Sequence, residues 1–198
     1  DVSELPFAPA SERNKAPILE RLLSLLPDEG KLLEIGAGTG QHAVFFSQRF
    51  PGLTWQTSDR EASLKGLRAR VQKEGPASMP PPLVLDVLQG PWPKGPFDAV
   101  YSANTAHIMS WSGVCAMFAG VGRVLVPGGI FCLYGPFMLD GSHTAPSNER
   151  FDCGLRYEDP AMGLRDLAEI DALARAEGLT PEQRLPTPAN NFMLVFRG

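Results

Sequence analysis

Cysteine is scarce in this chain, with three residues among 198. Cys115, Cys132 and Cys153 are odd in number and widely spaced, and they form neither a CxxC pair nor a cluster with histidine. A disulfide framework and a zinc pattern are therefore excluded, no metal site is expected, and the thiols read as reduced, as in a cytoplasmic protein. Long apolar runs are missing too, and none approaches the ~20 residues that a bilayer span needs. No membrane association is expected. The opening residues DVSELPFAPASERN lack the basic and apolar regions of a secretory leader, and the sequence begins without Met, so a few residues missing or processed there are expected. Positive charge is not in excess either. The formal charge is −4 and the pI is near 5.4, with Lys and Arg scattered rather than gathered, which disfavours nucleic acid as a partner.

What remains is the profile of a globular protein. Hydrophobic residues make up 43% and charged residues 20% of the sequence. A chain of this length is expected to form a single domain over residues 1–198. Residues 16–26, APILERLLSLL, carry apolar side chains at helical spacing, with Pro17 tolerable in a first turn. KLLEI then runs as a strand into the glycine turn GAGTG, and QHAVFFSQRF behind it reads as a helix stopped by Pro51-Gly52.

Further strands are LTWQTSD, ending in Asp59, then LVLDV, FDAVYSAN and VPGGIFCLYG, with helices over about 61–74 and through SGVCAMFAGVGRVL. Apolar strands alternating with helices imply a parallel sheet covered on both faces. Residues 136–163 are polar, without clear periodicity, and read as a long loop or substrate-side insertion. A helix over about 164–177 follows, then EQRL and NNFMLVFR as a closing antiparallel edge hairpin. The expected fold is a doubly wound, Rossmann-like α/β domain with a seven-stranded, mostly parallel sheet.

Ligands of such sheets sit at the carboxyl ends of the strands where the strand order reverses, and GAGTG lies at the end of the first strand. Gly36, Gly38 and Gly40 allow positive φ and close backbone approach, and the helix that follows offers free N–H groups. The same glycines also suit a turn with no ligand. A dinucleotide fingerprint needs GxGxxG, whereas the spacing here is GxGxG with Gln41 next, so a nicotinamide-dependent oxidoreductase is the weaker reading.

The segment Glu34-Ile35-Gly36-Ala37-Gly38-Thr39-Gly40 resembles the first motif of class I S-adenosylmethionine-dependent methyltransferases. SERNKAPIL, EIGAGTGQH, LTWQTSD, NTAHIMSW, LYGPF, SNERFDCGLRYEDPAMGLRD and TPANNFMLVFR together look like the DUF938 family, which includes methyltransferase-like protein 26. Ser110 and Met162 depart from that family's usual proline and tryptophan. The resemblance implies S-adenosylmethionine as cofactor, S-adenosylhomocysteine as product and no metal. It implies that Asp59 accepts hydrogen bonds from the ribose hydroxyls. Asp86 and the Val87 N–H would meet the adenine, with Glu34, Gly36, Ala37, Gly38, Gly40 and Asn104 completing the cofactor shell. The acceptor stays open, as a small molecule or a protein side chain.

Methyl transfer from a sulfonium asks the protein to align a nucleophile and, where needed, to take one proton. Asn104-Thr105-Ala106-His107 follows the fourth strand, making His107 the first candidate for a base, although a core histidine fits equally. Asn104 could instead cap the next helix. Tyr134 at the end of the fifth strand could hydrogen-bond an acceptor or simply form a wall. Asn148, Arg156 and Arg165, with Ser147 and Asp166, join Asn190 and Asn191 as a polar set that could bind substrate or bond within the loops. Arg13 and Asn14 could fold over the site. His42 reads as a helix-face residue and Trp55, Trp92 and Trp111 as packing residues. A protein that binds the cofactor without catalysis, as a sensor or interaction module, is the alternative.

Overall fold

A computed structural model describes residues 4–198. Helix α1, Pro9–Leu25, lays Ile18 and Leu22 into the core. It begins at Pro9 rather than at residue 16, and Pro17 lies inside it. Its first half carries few apolar residues, so the apolar stripe that marks a helix in sequence starts only halfway along.

Seven strands follow: β1 (Gly30–Ile35), β2 (Leu53–Asp59), β3 (Leu83–Val84), β4 (Phe97–Ala103), β5 (Leu125–Gly135), β6 (Thr180–Thr187) and β7 (Asn191–Arg197). Their order in the sheet is β3-β2-β1-β4-β5-β7-β6. The pairs within β1 to β5 are parallel, and β7 runs antiparallel to both β5 and β6. The chain steps outward from β1 to β3 and then returns to lay β4 on the other side of β1. The strand order therefore reverses between β1 and β4, and the crevice at their carboxyl ends is where this topology opens a ligand site.

Alternate side chains of each strand serve opposite faces. Leu32, Trp55 and Tyr101 pack with Ile18 and Leu22 under α1, α2 (Gln41–Ser47) and α3 (Glu61–Glu74). Leu33, Val100, Phe131 and Phe196 pack under α4 (Trp111–Val124) and α6 (Leu167–Ala176). Register sets Glu34 between Thr57 and Tyr101, so an acid shares the interior face with the aromatic cluster.

Two local readings are corrected. LVLDV pairs as a strand only at Leu83 and Val84; the Leu85 N–H still reaches the Asp59 carbonyl at 2.8 Å, and then the Leu88 N–H folds back onto the Asp86 carboxylate at 2.9 Å. The 136–163 stretch is not a continuous loop, because it holds helix α5, Pro146–Glu158. The inward residues of α5 are Asn148, Asp152 and Leu155, mostly polar, so no apolar period marks the helix. No helix among the described residues is long and apolar enough to cross a membrane.

Candidate functional site

A cavity of about 500 Å³ opens at the strand-order reversal. The glycine turn forms its floor. Gly36 and Gly38 have φ of 67° and 57°, in the left-handed region that favours glycine. A Cβ at Gly36 would stand 2.6 Å from the Thr105 Cγ2, whereas one at Gly38 would meet nothing within 4 Å. The turn is thus packed from below and bare toward the cavity. The Ala37 N–H donates to the Ser58 carbonyl at 3.0 Å and anchors the turn to β2.

Strand-end acids line the same space. Asp59 accepts from the Gly38 N–H and the Arg60 N–H, each at 2.7 Å, one on each carboxylate oxygen. Two backbone donors hold the group while each oxygen keeps a lone pair for a further donor. Asp86 and Val87 line the cavity beyond β3, and Asn104 does so beyond β4. Glu34 forms the inner wall at 2% exposure and accepts from the Trp55 indole at 2.8 Å. Burial pushes its carboxyl up to about 7; the Trp55 bond opposes this and the Asp59 charge adds to it. Gly40, at φ 79°, is the N-cap of α2 and is not a wall residue.

His42 also lines the cavity, a role not read from the sequence although it sits just past the glycine turn. Its Nε2 lies 3.0 Å from the Ser11 carbonyl and its Nδ1 lies 3.1 Å from the Tyr101 hydroxyl. A carbonyl only accepts, so Nε2 carries the proton and Nδ1 accepts a hydrogen bond from the Tyr101 hydroxyl. Burial lowers the pKa to about 4, so the ring is neutral at ordinary pH. Ala8, Ser11, Ile108, Met109, Asp159 and Ala161 also line the walls; none of these six is named as a site residue from the sequence, although five of them lie in segments that carry the family resemblance.

The acceptor-side candidates are elsewhere. His107 is buried off the cavity wall, its ring edge-on to Phe151 at 5.3 Å between centroids. Burial, with the Arg165 charge second, lowers its pKa to about 4. Tyr134 belongs to the core, where burial raises its phenol above the usual range against the pull of Thr187 and Asn191. Asn104 does not cap α4; the Ser110 hydroxyl does, accepting from the Gly113 N–H at 3.1 Å.

Arg13 and Asn14 lie within α1, away from the cavity wall. Asn148 donates to the Asn190 carbonyl at 3.1 Å, Asn191 donates to the Pro188 carbonyl at 3.4 Å, and Arg156 pairs with Asp152 at 3.1 Å. The Arg165 guanidinium donates to the carbonyls of Ala106, Met109 and Ala161 at 3.3, 2.6 and 2.9 Å. It also lies 5.8 Å from the ring centre of Trp111, which is 38% exposed rather than packed away. Asn148 ties α5 to the β6-β7 turn and the Arg156 and Asn191 bonds are local, whereas Arg165 fixes two cavity walls, residues 108–110 and 159–161. Asp166 caps α6 through the Ala168 N–H at 2.9 Å. Ser147 is exposed. Among the described residues no group of three or more His, Cys, Asp or Glu is placed to hold a metal ion.

The model of a family described as "Protein of unknown function (DUF938)" matches residues 5–198. A sterol 24-C-methyltransferase of Pneumocystis carinii is 26% identical over 147 residues, which is 71% of this chain and 37% of that protein. Among solved structures, the mitomycin 7-O-methyltransferase MmcR superposes with a TM-score of 0.82 at 19% identity, covering 95% of this chain and 54% of that one. PigF with S-adenosylhomocysteine superposes with a TM-score of 0.80 at 14% identity, covering 94% and 56%. The fold is that of the class I methyltransferases. The chain spans 37% of the length of this curated relative and a little over half of these two solved chains.

Proposed function

The chain belongs to the DUF938 family, and from that premise we propose that it binds S-adenosylmethionine and transfers its methyl group to a small molecule or an exposed protein side chain. The observation that carries this reading is convergence. A bare glycine turn and carboxylates from the ends of β1, β2 and β3 line one cavity of about 500 Å³. The residues present fit the cofactor. The open face of Gly38 admits close approach of a ligand, and the carboxylates of Asp59 and Asp86 are acceptors for ribose hydroxyls and an adenine amino group. The Val87 N–H would donate to the adenine ring. Glu34 would face the methionine end, with Gly36, Ala37 and Asn104 around it.

When bound, the cofactor supplies an electrophilic methyl on a sulfonium. Glu34, Asp59, Asp86 and Val87 would hold that donor against the cavity wall, and an acceptor that bears a proton would have to give it up. The chain's part is alignment and exclusion of water, which supply most of what methyl transfer requires. With His107 and Tyr134 buried off the wall, neither is placed to take a proton from the acceptor. The same burial favours the second reading, a cofactor-binding module without turnover. The three cysteines without a pairing pattern suit a reducing, cytoplasmic setting.

Calorimetric titration with S-adenosylmethionine, S-adenosylhomocysteine and NADH tests the cofactor, with micromolar binding of the first two alone expected. Asp59→Ala should weaken both by on the order of 1.5–3 kcal/mol, the worth of hydrogen bonds to a charged group. Preference for NADH, or unchanged affinity in Asp59→Ala, overturns the site map. Incubating extracts with labelled methyl donor then separates transferase from binding module.

A further inference from the structure

The stretch before α1 is fastened to the cofactor site by side chains that hold the glycine turn at the same time. Gln41, the first residue of α2, accepts with one oxygen from the Ala8 N–H at 2.6 Å and from the Thr39 hydroxyl at 2.8 Å. Its amide donates to Glu12 at 3.2 Å. Arg70 of α3 donates from Nε to the Thr39 carbonyl at 2.8 Å and from its terminal nitrogen to the Pro6 carbonyl. His42 adds the bond to Ser11. Ala8 and Ser11 line the cavity. The ring of Pro6 lies so close to α3 that a Cβ at Gly66 would stand 2.8 Å from the Pro6 Cγ.

We propose that residues 4–11 are a clasp that closes over the bound cofactor, with Gln41 and Arg70 as positioning residues coupling closure to the glycine turn. The proposal rests on the methyl-donor reading above. Gln41 bonds Thr39 in the turn, Ala8 in the clasp and Glu12 just beyond it, and Arg70 bonds Thr39, Pro6 in the clasp and Glu74 of its own helix, so a ligand that orders the turn orders the clasp. A closed clasp in turn retards departure of the ligand. The coupling is reciprocal, as any linkage between two binding events must be.

Two measurements test it. Hydrogen exchange of the wild-type chain, with and without S-adenosylhomocysteine, should show amides of residues 7–15 slowed about tenfold or more by the ligand. The dissociation rate of S-adenosylhomocysteine should rise about tenfold in Gln41→Leu and in Gly66→Ala. The second variant adds only a methyl to α3, where Ala is the better helix former, and acts on the clasp by displacing a rigid proline ring. Arg70→Lys, which keeps the charge but cannot reach two carbonyls from one planar group, should fall between wild type and Gln41→Leu. Binding of S-adenosylhomocysteine with no change in clasp exchange, or release rates equal to wild type in both variants, overturns the clasp and leaves the cofactor assignment standing. Failure of the wild-type chain to bind S-adenosylhomocysteine overturns both.

Discussion

Glu34 is the residue at which stability and the proposed cofactor binding meet. Its carboxyl is buried, accepts a single indole bond, and is pushed from 4.5 to about 7 by the loss of water. An acid whose folded pKa is raised holds its proton in the native state after the unfolded chain has lost it. Folding stability therefore falls as pH rises from about 4.5 to about 7 and levels off above. At about 1.4 kcal/mol for each tenfold in proton affinity, the loss is on the order of 3 kcal/mol. Urea titrations across that range should show this slope in the wild type and a nearly flat line in Glu34→Gln, whose side-chain oxygen still accepts from Trp55. Equal slopes in the two proteins would place the titrating group elsewhere. If the cationic end of S-adenosylmethionine faces Glu34, its binding releases a proton within the same window, and calorimetry in buffers of different ionisation enthalpy reads that proton directly.

At the scale of elements, the helix that sequence pattern misses is the one held by a buried acid. In α5 the Asp152 carboxylate accepts from the Leu164 N–H at 2.8 Å and from Arg156 at 3.1 Å, and it faces the His143 Nε2 at 3.3 Å. Asp152→Ala leaves the Leu164 amide without its partner, at a cost of about 1–3 kcal/mol. Exchange should speed up through residues 146–165 while the β1, β4 and β5 amides keep their protection; loosening of the whole sheet would refute this local role. The contrast with the rest of the chain explains what can be read beforehand. β2 and α3 have the expected limits because each carries its own period and stop signal. The glycine turn and the acids at 34 and 59 are equally legible, since a strand end fixes them locally, and Asp86 follows two residues beyond the short β3. Residues 8, 11, 109 and 161 are held at the cavity wall by bonds from Gln41, His42 and Arg165. Nothing in their neighbours along the chain announces those bonds. The same holds for His107 and Tyr134, whose positions near strand ends suggest exposure to a ligand until α5 and the β6-β7 hairpin cover them.

For the molecule as a whole, acids outnumber cations at the cavity. Glu34, Asp59, Asp86 and Asp159 line it, with Arg60 as the lining cation, in a chain whose formal charge is −4. Low-dielectric walls concentrate the field of such a surplus at the mouth of a cleft, so a cationic ligand is drawn in and an anionic one is opposed. S-Adenosylmethionine carries a net positive charge at neutral pH, and loss of its methyl leaves a zwitterion with none. Substrate and product of the proposed reaction therefore differ in the one property to which this surface responds. Salt screens that attraction, with a Debye length of about 10 Å at 0.1 M and about 3 Å at 1 M. Raising salt from about 0.02 M to 0.5 M should weaken S-adenosylmethionine binding by about three- to tenfold while S-adenosylhomocysteine changes by less than about twofold. The loss should appear in the association rate, because steering acts before contact. Equal salt dependence of the two ligands would mean that Arg60 and solvent neutralise the wall, and that retention of the cofactor depends on contact geometry alone.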